Sequence, residues 1–558
     1  MSERTGGDAV VDGLERAGVE VVFGIPSIHN LPIYDAIRRN GRIRAITVRH
    51  EQGASGAADG YARTTGRLGV CITSTGPGAA NAMGGQLEAY VSSSPILHVT
   101  GQIDSRFIDQ GRGYIHEVSD QPGMMASVSK AIYRATSANG IGAMVAAAAK
   151  DAMAYPRRPV SLEIPIDLQY AGCPTEPDQI PPAPAAAVGL DETEVIRAVE
   201  IIAGSRRPIV WAGGGVVAAG AIDQVVMLVR RLGAGLLTSP NGRGILPEDD
   251  PLCIGNFSWD QDVRALCREA DLLVAIGTRF QGPNTENWKM ELPARLVHLD
   301  VDPAVPGRNY PVEAAIVADA KVSTIALLNA LDRIDAPVVL AETGWLERVA
   351  AVTESSRRRL RDALGPQVGL LDGLASCLNP DTVVVKDSTI SAYTWGNRLL
   401  PVRRPRTSIM PNSFAIGLGL PQAVGAAVGS EEPVVLLVGD GGFLLAATEL
   451  ATVAQERLPI VVLVFADGGY GILRNMQDHQ YGTNEGRIGV DLGRPDFCSL
   501  AKAFGIHAVR VDSIESYTST VNRALADRQP CVVEVDLDTI GPMTIPFRGV
   551  SKPPVLNV

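Results

Sequence analysis

Two acidic residues carry the most chemical information in this chain. Asp440 sits in Gly439-Asp440-Gly441-Gly442, and Asp467 follows 27 residues later in Ala466-Asp467-Gly468-Gly469. Carboxylate oxygens are hard donors, and Mg²⁺ in proteins is typically shared between one or two carboxylates and substrate phosphates. A glycine-rich turn that enters a helix leaves backbone N–H groups free to meet a diphosphate. The chemistry this pattern offers is the holding of a metal-bound diphosphate.

The flanking residues must place those acids. Residues 433–438 and 460–465 are short, apolar, β-branched runs bounded by turn formers, and they read as buried strands. Residues 443–456 between them are helical in pattern, with Leu445, Thr448, Leu450 and Val453 near one face. The unit is strand, glycine-rich turn, helix, strand. An acid ends each strand, on the edge where a parallel α/β sheet binds ligands.

A Gly-Asp-Gly turn with an acid or amide some 27 residues on resembles the signature of thiamine-diphosphate (ThDP) enzymes. A second, distant set strengthens the likeness: Arg49-His50-Glu51-Gln52-Gly53-Ala54, then Ala58-Asp59-Gly60-Tyr61-Ala62-Arg63 and Ser74-Thr75-Gly76-Pro77-Gly78-Ala79-Ala80-Asn81. It resembles the pyrimidine-binding domain of the acetolactate synthase and benzoylformate decarboxylase-like 2-oxoacid decarboxylase superfamily. The likeness covers nearly the whole chain.

Composition agrees with that size of protein. A chain of 558 residues is too long for one core and predicts roughly three domains of about 150 to 200 residues each. Its 58 glycines and 37 prolines punctuate many short elements, as in alternating β/α architecture. The expected fold class is α/β, with three domains, each a mostly parallel sheet flanked by helices. They are a pyrimidine-binding domain over 1–172, a central dinucleotide-like domain over 189–335 and a diphosphate-binding domain over 366–540, followed by a tail over 541–558. Cys173-Pro174-Thr175-Glu176-Pro177, with Pro181, Pro182 and Pro184, reads as an extended linker. The resemblance implies that the first and third domains share one fold, although no internal repeat is visible in the sequence.

A net charge of −11 argues against a nucleic-acid partner, and the arginine run at 357–361 is expected to be a solvated helix face. Seven cysteines lie scattered without C-x-x-C pairs, as in a reduced, cytoplasmic protein. No apolar run is long enough to span a membrane and no signal-like apolar core follows Met1, so a soluble protein is expected.

The resemblance implies a role for particular residues. ThDP enzymes need a carboxylate on the aminopyrimidine, and Glu51 occupies that glutamate position; burial is expected to help it share a proton with the ring. Asp440 and Asp467 side chains and the Gly469 carbonyl are the implied Mg²⁺ ligands. Asp467 departs from the asparagine common there, and carboxylate is the better Mg²⁺ ligand. Gly439, Gly441, Gly442, Ser388 and Thr389 are the implied diphosphate contacts. Ile416 matches the bulky residue that props ThDP into its bent shape, Gly24 and Pro26 match the turn that meets the aminopyrimidine, and Ile472 adjoins the cofactor.

Substrate candidates are Ile28, His29, Ser74, Gln102, His116, Leu473 and Met476. Ser74 stands where benzoylformate decarboxylases place a catalytic histidine, and Met476 where biosynthetic acetolactate synthases carry a tryptophan. His98, inside an apolar strand, is expected to be structural. Residues 475–491 are polar and glycine-bounded, and are expected to form part of a lid.

In the central domain Gly213-Gly214-Gly215, Ile276-Gly277-Thr278-Arg279-Phe280 and Asp300-Val301-Asp302-Pro303 align with FAD-binding segments of acetolactate synthases. The acidic-acidic-Arg run that should follow is replaced by Gln281-Gly282-Pro283. The domain is expected to be structural, with FAD as the alternative.

The implied reaction is cleavage of a carbon–carbon bond next to a carbonyl, leading with decarboxylation of a 2-oxo acid and transfer to a second carbonyl. A simple decarboxylase releasing an aldehyde, an acyloin or 2-hydroxyacyl lyase and a flavin-dependent oxidase are the alternatives. The site is expected between the first domain of one subunit and the third of another. That implies a homodimer at least, with a homotetramer as the family's habit and a small carbonyl compound as substrate.

Overall fold

The computed structural model describes residues 4–173, 189–334, 341–482 and 486–547. They build three six-stranded sheets in which every pairing is parallel. The first contains β1 (Val21–Gly24), β2 (Arg44–Thr47), β3 (Gly69–Thr73), β4 (Ile96–Gln102), β5 (Ala131–Arg134) and β6 (Val160–Pro165), in the order β2-β1-β3-β4-β6-β5. The central one contains β7 (Pro208–Ala212), β8 (Gly235–Thr238), β9 (Cys253–Gly255), β10 (Leu272–Ile276), β11 (Leu296–Asp300) and β12 (Ala314–Val317), ordered β12-β11-β10-β7-β8-β9. The third contains β13 (Val383–Lys386), β14 (Ser408–Ile409), β15 (Val434–Gly439), β16 (Ile460–Ala466), β17 (His507–Val511) and β18 (Cys531–Asp536), ordered β14-β13-β15-β16-β18-β17.

Counted within each sheet, the first and third share one strand order, and the central sheet has the doubly wound order of dinucleotide-binding folds. The common fold of the outer two domains is therefore real, although their sequences do not reveal it. Strands such as β15 and β16 are apolar on both faces because helices cover both sides of a parallel sheet.

The first and third domains of one chain share a hydrophobic core. The helix Glu51–Thr65 crosses the helix Gly419–Gly429 with backbones almost touching: a Cβ at Gly60 would strike the Gln422 carbonyl, and one at Gly425 the Ala57 carbonyl. Alanines and glycines at the crossing permit that approach, and Gln422 Nε2 donates to Asp59 Oδ2 at 2.8 Å within it.

Several expectations need correction. The helical run over 443–456 is broken into Asp440–Ala446, a 3₁₀ turn Ala447–Glu449 and Leu450–Glu456, and Leu445 is exposed. The arginines at 357–361 are not merely solvated. Arg357 donates to the Glu248 and Cys253 carbonyls, Arg359 pairs with Asp260 and Asp262, and Arg361 with Asp372, so the helix Trp345–Leu364 is bolted to its neighbours. The cysteines are free and all but Cys377 are buried. Linker residues 174–184, tail residues 548–558 and residues 483–485 of the expected lid lie outside the described residues. Among the described residues no helix is long and apolar enough to cross a membrane.

Candidate cofactor and active site

The end of β15 and the end of β16 bring the two acids together. Asp440 begins the helix Asp440–Ala446 and is 1% exposed. Its Oδ2 accepts the N–H groups of Asp467 at 3.0 Å, Gly468 at 2.5 Å and Gly469 at 2.9 Å. Three successive amides can converge on one oxygen because Gly468 adopts φ +85°, which glycine takes without strain. The other oxygen, Oδ1, is buried without any hydrogen-bond partner.

Burial, and then the charge of Asp467, push the Asp440 carboxyl up to about 6, against the pull of those three amides. Burial also raises Asp467, with Arg474 opposing. An orphaned carboxylate oxygen beside a second carboxylate is a place where a divalent cation replaces an unpaid desolvation cost with bonds. The donor set fits Mg²⁺.

A cavity of about 690 Å³ opens over this turn. Gly439, Gly441, Gly442, Asp467 and Gly469 line it together with Ser388, Thr389, Ile416, Ile472, Leu473 and Met476. The turn has no room for side chains: a Cβ at Gly441 would strike the Tyr470 ring, and one at Gly442 would lie 2.7 Å from Asp387 Oδ1. Close packing against Tyr470 and Asp387 therefore keeps the turn free of side chains, and Ile416 lines the same cavity.

Ser388 is positioned differently from expectation. Its hydroxyl points to the Phe414 and Ala415 carbonyls at 3.1 and 2.9 Å and accepts from Tyr393 Oη at 3.0 Å. It ties down the loop that carries Ile416.

On the first domain, Glu51 opens its helix and is half-buried, contrary to the burial expected. Asn81 Nδ2 donates to its Oε2 at 3.0 Å. Ser74 flanks it across Gly78. Ser74 Oγ lies 3.3 Å from His116 Nδ1, and the His116 and His29 rings are 5.2 Å apart. Burial, and then His116, hold His29 down to about 4, so it is neutral at ordinary pH. Gly24 ends β1, with Pro26 and Ile28 exposed beyond it.

Gln102 does not serve as expected. It is 4% exposed, and its amide is taken up by Glu163, Thr75 and the Ile103 N–H. It belongs to a closed polar network. His98 is structural as expected, bonded to Thr73 Oγ1 at 2.8 Å.

The residues thus form two groups that do not meet in one chain. Among the described residues, none of the first domain lines the third-domain cavity.

Three acids that the sequence did not mark hold the pieces in place. Asp387 is fully buried and accepts the N–H groups of Ser388, Gly417 and Gly419, bracketing Ile416. Glu88, on the helix Pro77–Ser92, accepts the N–H groups of Asn412 and Ser413 at 2.8 and 2.9 Å. Glu449 accepts the Arg49 N–H at 3.0 Å, and Gly53 is bare because the Glu449 carboxylate occupies the place of a side chain. The only signal in the sequence was an acid inside an apolar or small-residue context.

The central domain's cleft, lined by Gly214, Gly215, Thr278, Asp300 and Asp302, measures about 180 Å³. That is below the range of roughly 300 to 1,000 Å³ typical of small-molecule pockets. Arg158, bonded to Tyr90 and Asp302, Arg279, bonded to the Val91 carbonyl, and Arg406, bonded to the Arg63 and Val217 carbonyls, crowd it. The cleft does not fit FAD.

Comparison with known proteins places this geometry. Residues 4–124 match the thiamine pyrophosphate enzyme N-terminal TPP binding domain, 195–331 the central domain and 390–535 the C-terminal TPP binding domain. A probable acetolactate synthase large subunit of Methanocaldococcus jannaschii is 31% identical over 96% of this chain and 92% of its own length. A probable 2-ketoarginine decarboxylase of Pseudomonas aeruginosa is 36% identical over 90% of this chain and 88% of its own. An acetolactate synthase of Mycobacterium avium is 32% identical over 95% and 87%. This chain belongs to the thiamine pyrophosphate enzyme family, the ThDP-dependent enzymes.

Proposed function

We propose that the protein is a ThDP- and Mg²⁺-dependent enzyme that decarboxylates a 2-oxo acid and joins the remaining acyl unit to a second carbonyl. The observation that carries this reading is the unpartnered Oδ1 of Asp440, buried beside Asp467 under a bare glycine turn. Asp440, Asp467 and the Gly469 carbonyl would hold Mg²⁺, and Thr389 with the turn amides would hold the diphosphate. When bound, ThDP supplies the electron sink that makes the carbon–carbon bond next to a carbonyl breakable. Glu51 holds and moves a proton at the aminopyrimidine, positioned by Asn81. Ile416 would pack against the cofactor, and the apolar residues Ile472, Leu473 and Met476 would help to exclude water from it.

The working unit is at least a homodimer, in which Glu51 of one chain reaches the cavity of the other. The separation of the two groups within one chain supports this. A two-fold axis then makes two equivalent sites. Tetramerisation and a cytoplasmic location follow the family's habit.

A second reading, simple decarboxylation to an aldehyde, is favoured by the imidazole of His116 beside Ser74, which can deliver a proton to the product carbon. Names of relatives support both, since one is called an acetolactate synthase and another a 2-ketoarginine decarboxylase. The test is a panel of 2-oxo acids with ThDP and Mg²⁺, alone and with acceptor aldehydes, followed by mass spectrometry. Ligated products support the first reading and free aldehydes alone the second. No turnover of any 2-oxo acid rejects both.

A further inference from the structure

The proposed cofactor site accounts for one part of the large cavity's lining, made of Gly439, Gly441, Gly442, Gly469 and Asp467. A second part of the lining is aromatic. Phe414 and Tyr393 stack at 5.7 Å and 14°, Tyr393 and Phe547 at 6.0 Å and 12°, and Phe547 and Trp259 at 6.5 Å and 16°. All four rings line the cavity. They arrive from separate parts of the chain: the loop before the helix Gly419–Gly429, the π-helical turn Ala392–Gly396, the segment after β18 and the central domain.

The stack is held rather than accidental. Phe414 keeps a left-handed backbone at φ +62°, strained for an aromatic residue, while its carbonyl accepts from Ser388. Tyr393 Oη donates to Ser388 Oγ, and Asn475 Nδ2 pins the Phe547 carbonyl at 2.9 Å. Strain persists where the surroundings over-determine it, which points to a functional surface.

We propose that this aromatic wall selects a donor 2-oxo acid with a neutral aromatic side chain. The proposal rests on the 2-oxo acid reading above and names its substrate class. A methyl group, as in pyruvate, is too small to cover the wall, whereas an aryl ring gains contact with its ring edges and remaining faces. A guanidinium side chain is disfavoured for a separate reason. The Arg398 guanidinium already covers Trp259 at 4.6 Å from the ring centre. Among the described residues the only carboxylates lining the cavity are Asp467, in the proposed metal site, and Asp538, paired with Arg494 at 2.7 Å. A guanidinium entering the cavity would find no unassigned carboxylate among the described residues to offset its desolvation.

The test compares kcat/KM for pyruvate, an aryl-substituted pyruvate and a guanidino-bearing 2-oxo acid, using full-length protein loaded with ThDP and Mg²⁺. Phe547→Ala and Trp259→Leu are measured alongside, with calorimetric binding of 3-phenylpropionate, which carries the ring but cannot react. The expected result is an aryl preference of about tenfold or more over both other acids. At least one variant should reduce it, with weaker 3-phenylpropionate binding. A preference for pyruvate or the guanidino acid, or an aryl preference untouched in both variants, overturns the proposal while leaving 2-oxo acid chemistry standing. If no 2-oxo acid reacts, the reaction reading falls. The binding arm then decides the wall alone: equal affinity of 3-phenylpropionate for wild type and both variants overturns it, and weakened binding in a variant supports it.

Discussion

Asp440 Oδ2 accepts the backbone N–H of Asp467 at 3.0 Å, so the two acids are fixed to each other before any ion arrives. The first acid orients the loop that carries the second, and its other oxygen is left over for a ligand. The proposed metal site would be preorganised by the chain itself.

Removing that first acid should therefore do more than remove a ligand. Asp440→Ala is expected to weaken Mg²⁺-dependent ThDP binding by at least about tenfold, because three loop amides lose their acceptor too. Asp467→Asn should be tolerated, since an amide oxygen can still ligate the ion. Calorimetric titration of ThDP at fixed Mg²⁺ checks both, and a chelator should release the cofactor from wild type. Loss of binding in Asp467→Asn but not in Asp440→Ala would misplace the site.

Glu51→Gln should retain ThDP and lose turnover by about 10² to 10⁴-fold, the usual scale of a missing general acid–base. Equilibrium dialysis measures the first and product formation the second. Turnover within twofold of wild type, measured in the same assay, would remove Glu51 from the proton path.

Glu88 gives a prediction that its sequence position does not suggest. Glu88→Ala strips the acceptor from the Asn412 and Ser413 amides, and orphaned buried donors cost about 1 to 3 kcal/mol each. Faster hydrogen exchange over residues 412–417 and weaker ThDP binding are expected. Unchanged exchange there would show that the loop is held by Asp387 and Ser388 alone.

Asp300 supplies a pH test outside the cofactor site. Burial pushes its carboxyl up to about 6, above its ordinary value of 3.8. The native state thus binds the proton more tightly than the unfolded chain. The stability this contributes is present below pH 3.8 and is lost as pH rises through about 6. Asp300→Asn should accordingly be more resistant to urea than wild type at pH 8, with the gap closing towards pH 5. A pH-independent gap would contradict that origin.

The legible part of this protein was local. Glycines at 439, 441 and 442 with an acid among them, between two β-branched runs, announce the tight turn between two buried parallel strands. What could not be read acts at a distance. Glu88 and Glu449 work through backbone amides more than 300 residues away in sequence, and no periodicity encodes an amide's partner. Gln102 looked available but is consumed by Glu163 and Thr75, since burial depends on how β4 and β6 pair. Leu445 matched a helical face, yet the 3₁₀ turn Ala447–Glu449 breaks the helix and leaves Leu445 exposed. The shared topology of the outer domains was implied by the family resemblance but left no internal repeat, because strand order is preserved by packing rather than by residue identity.

The central claim is that Glu51 of one chain serves Asp440 of another. The most direct measurement mixes inactive Glu51→Gln with inactive Asp440→Ala under conditions that exchange subunits. In a mixed dimer one site inherits both defects and the other neither, so random pairing should restore activity to about a quarter of wild type. No recovery, with exchange demonstrated by mass-tagged subunits, would place both residues in one chain's site and contradict the account.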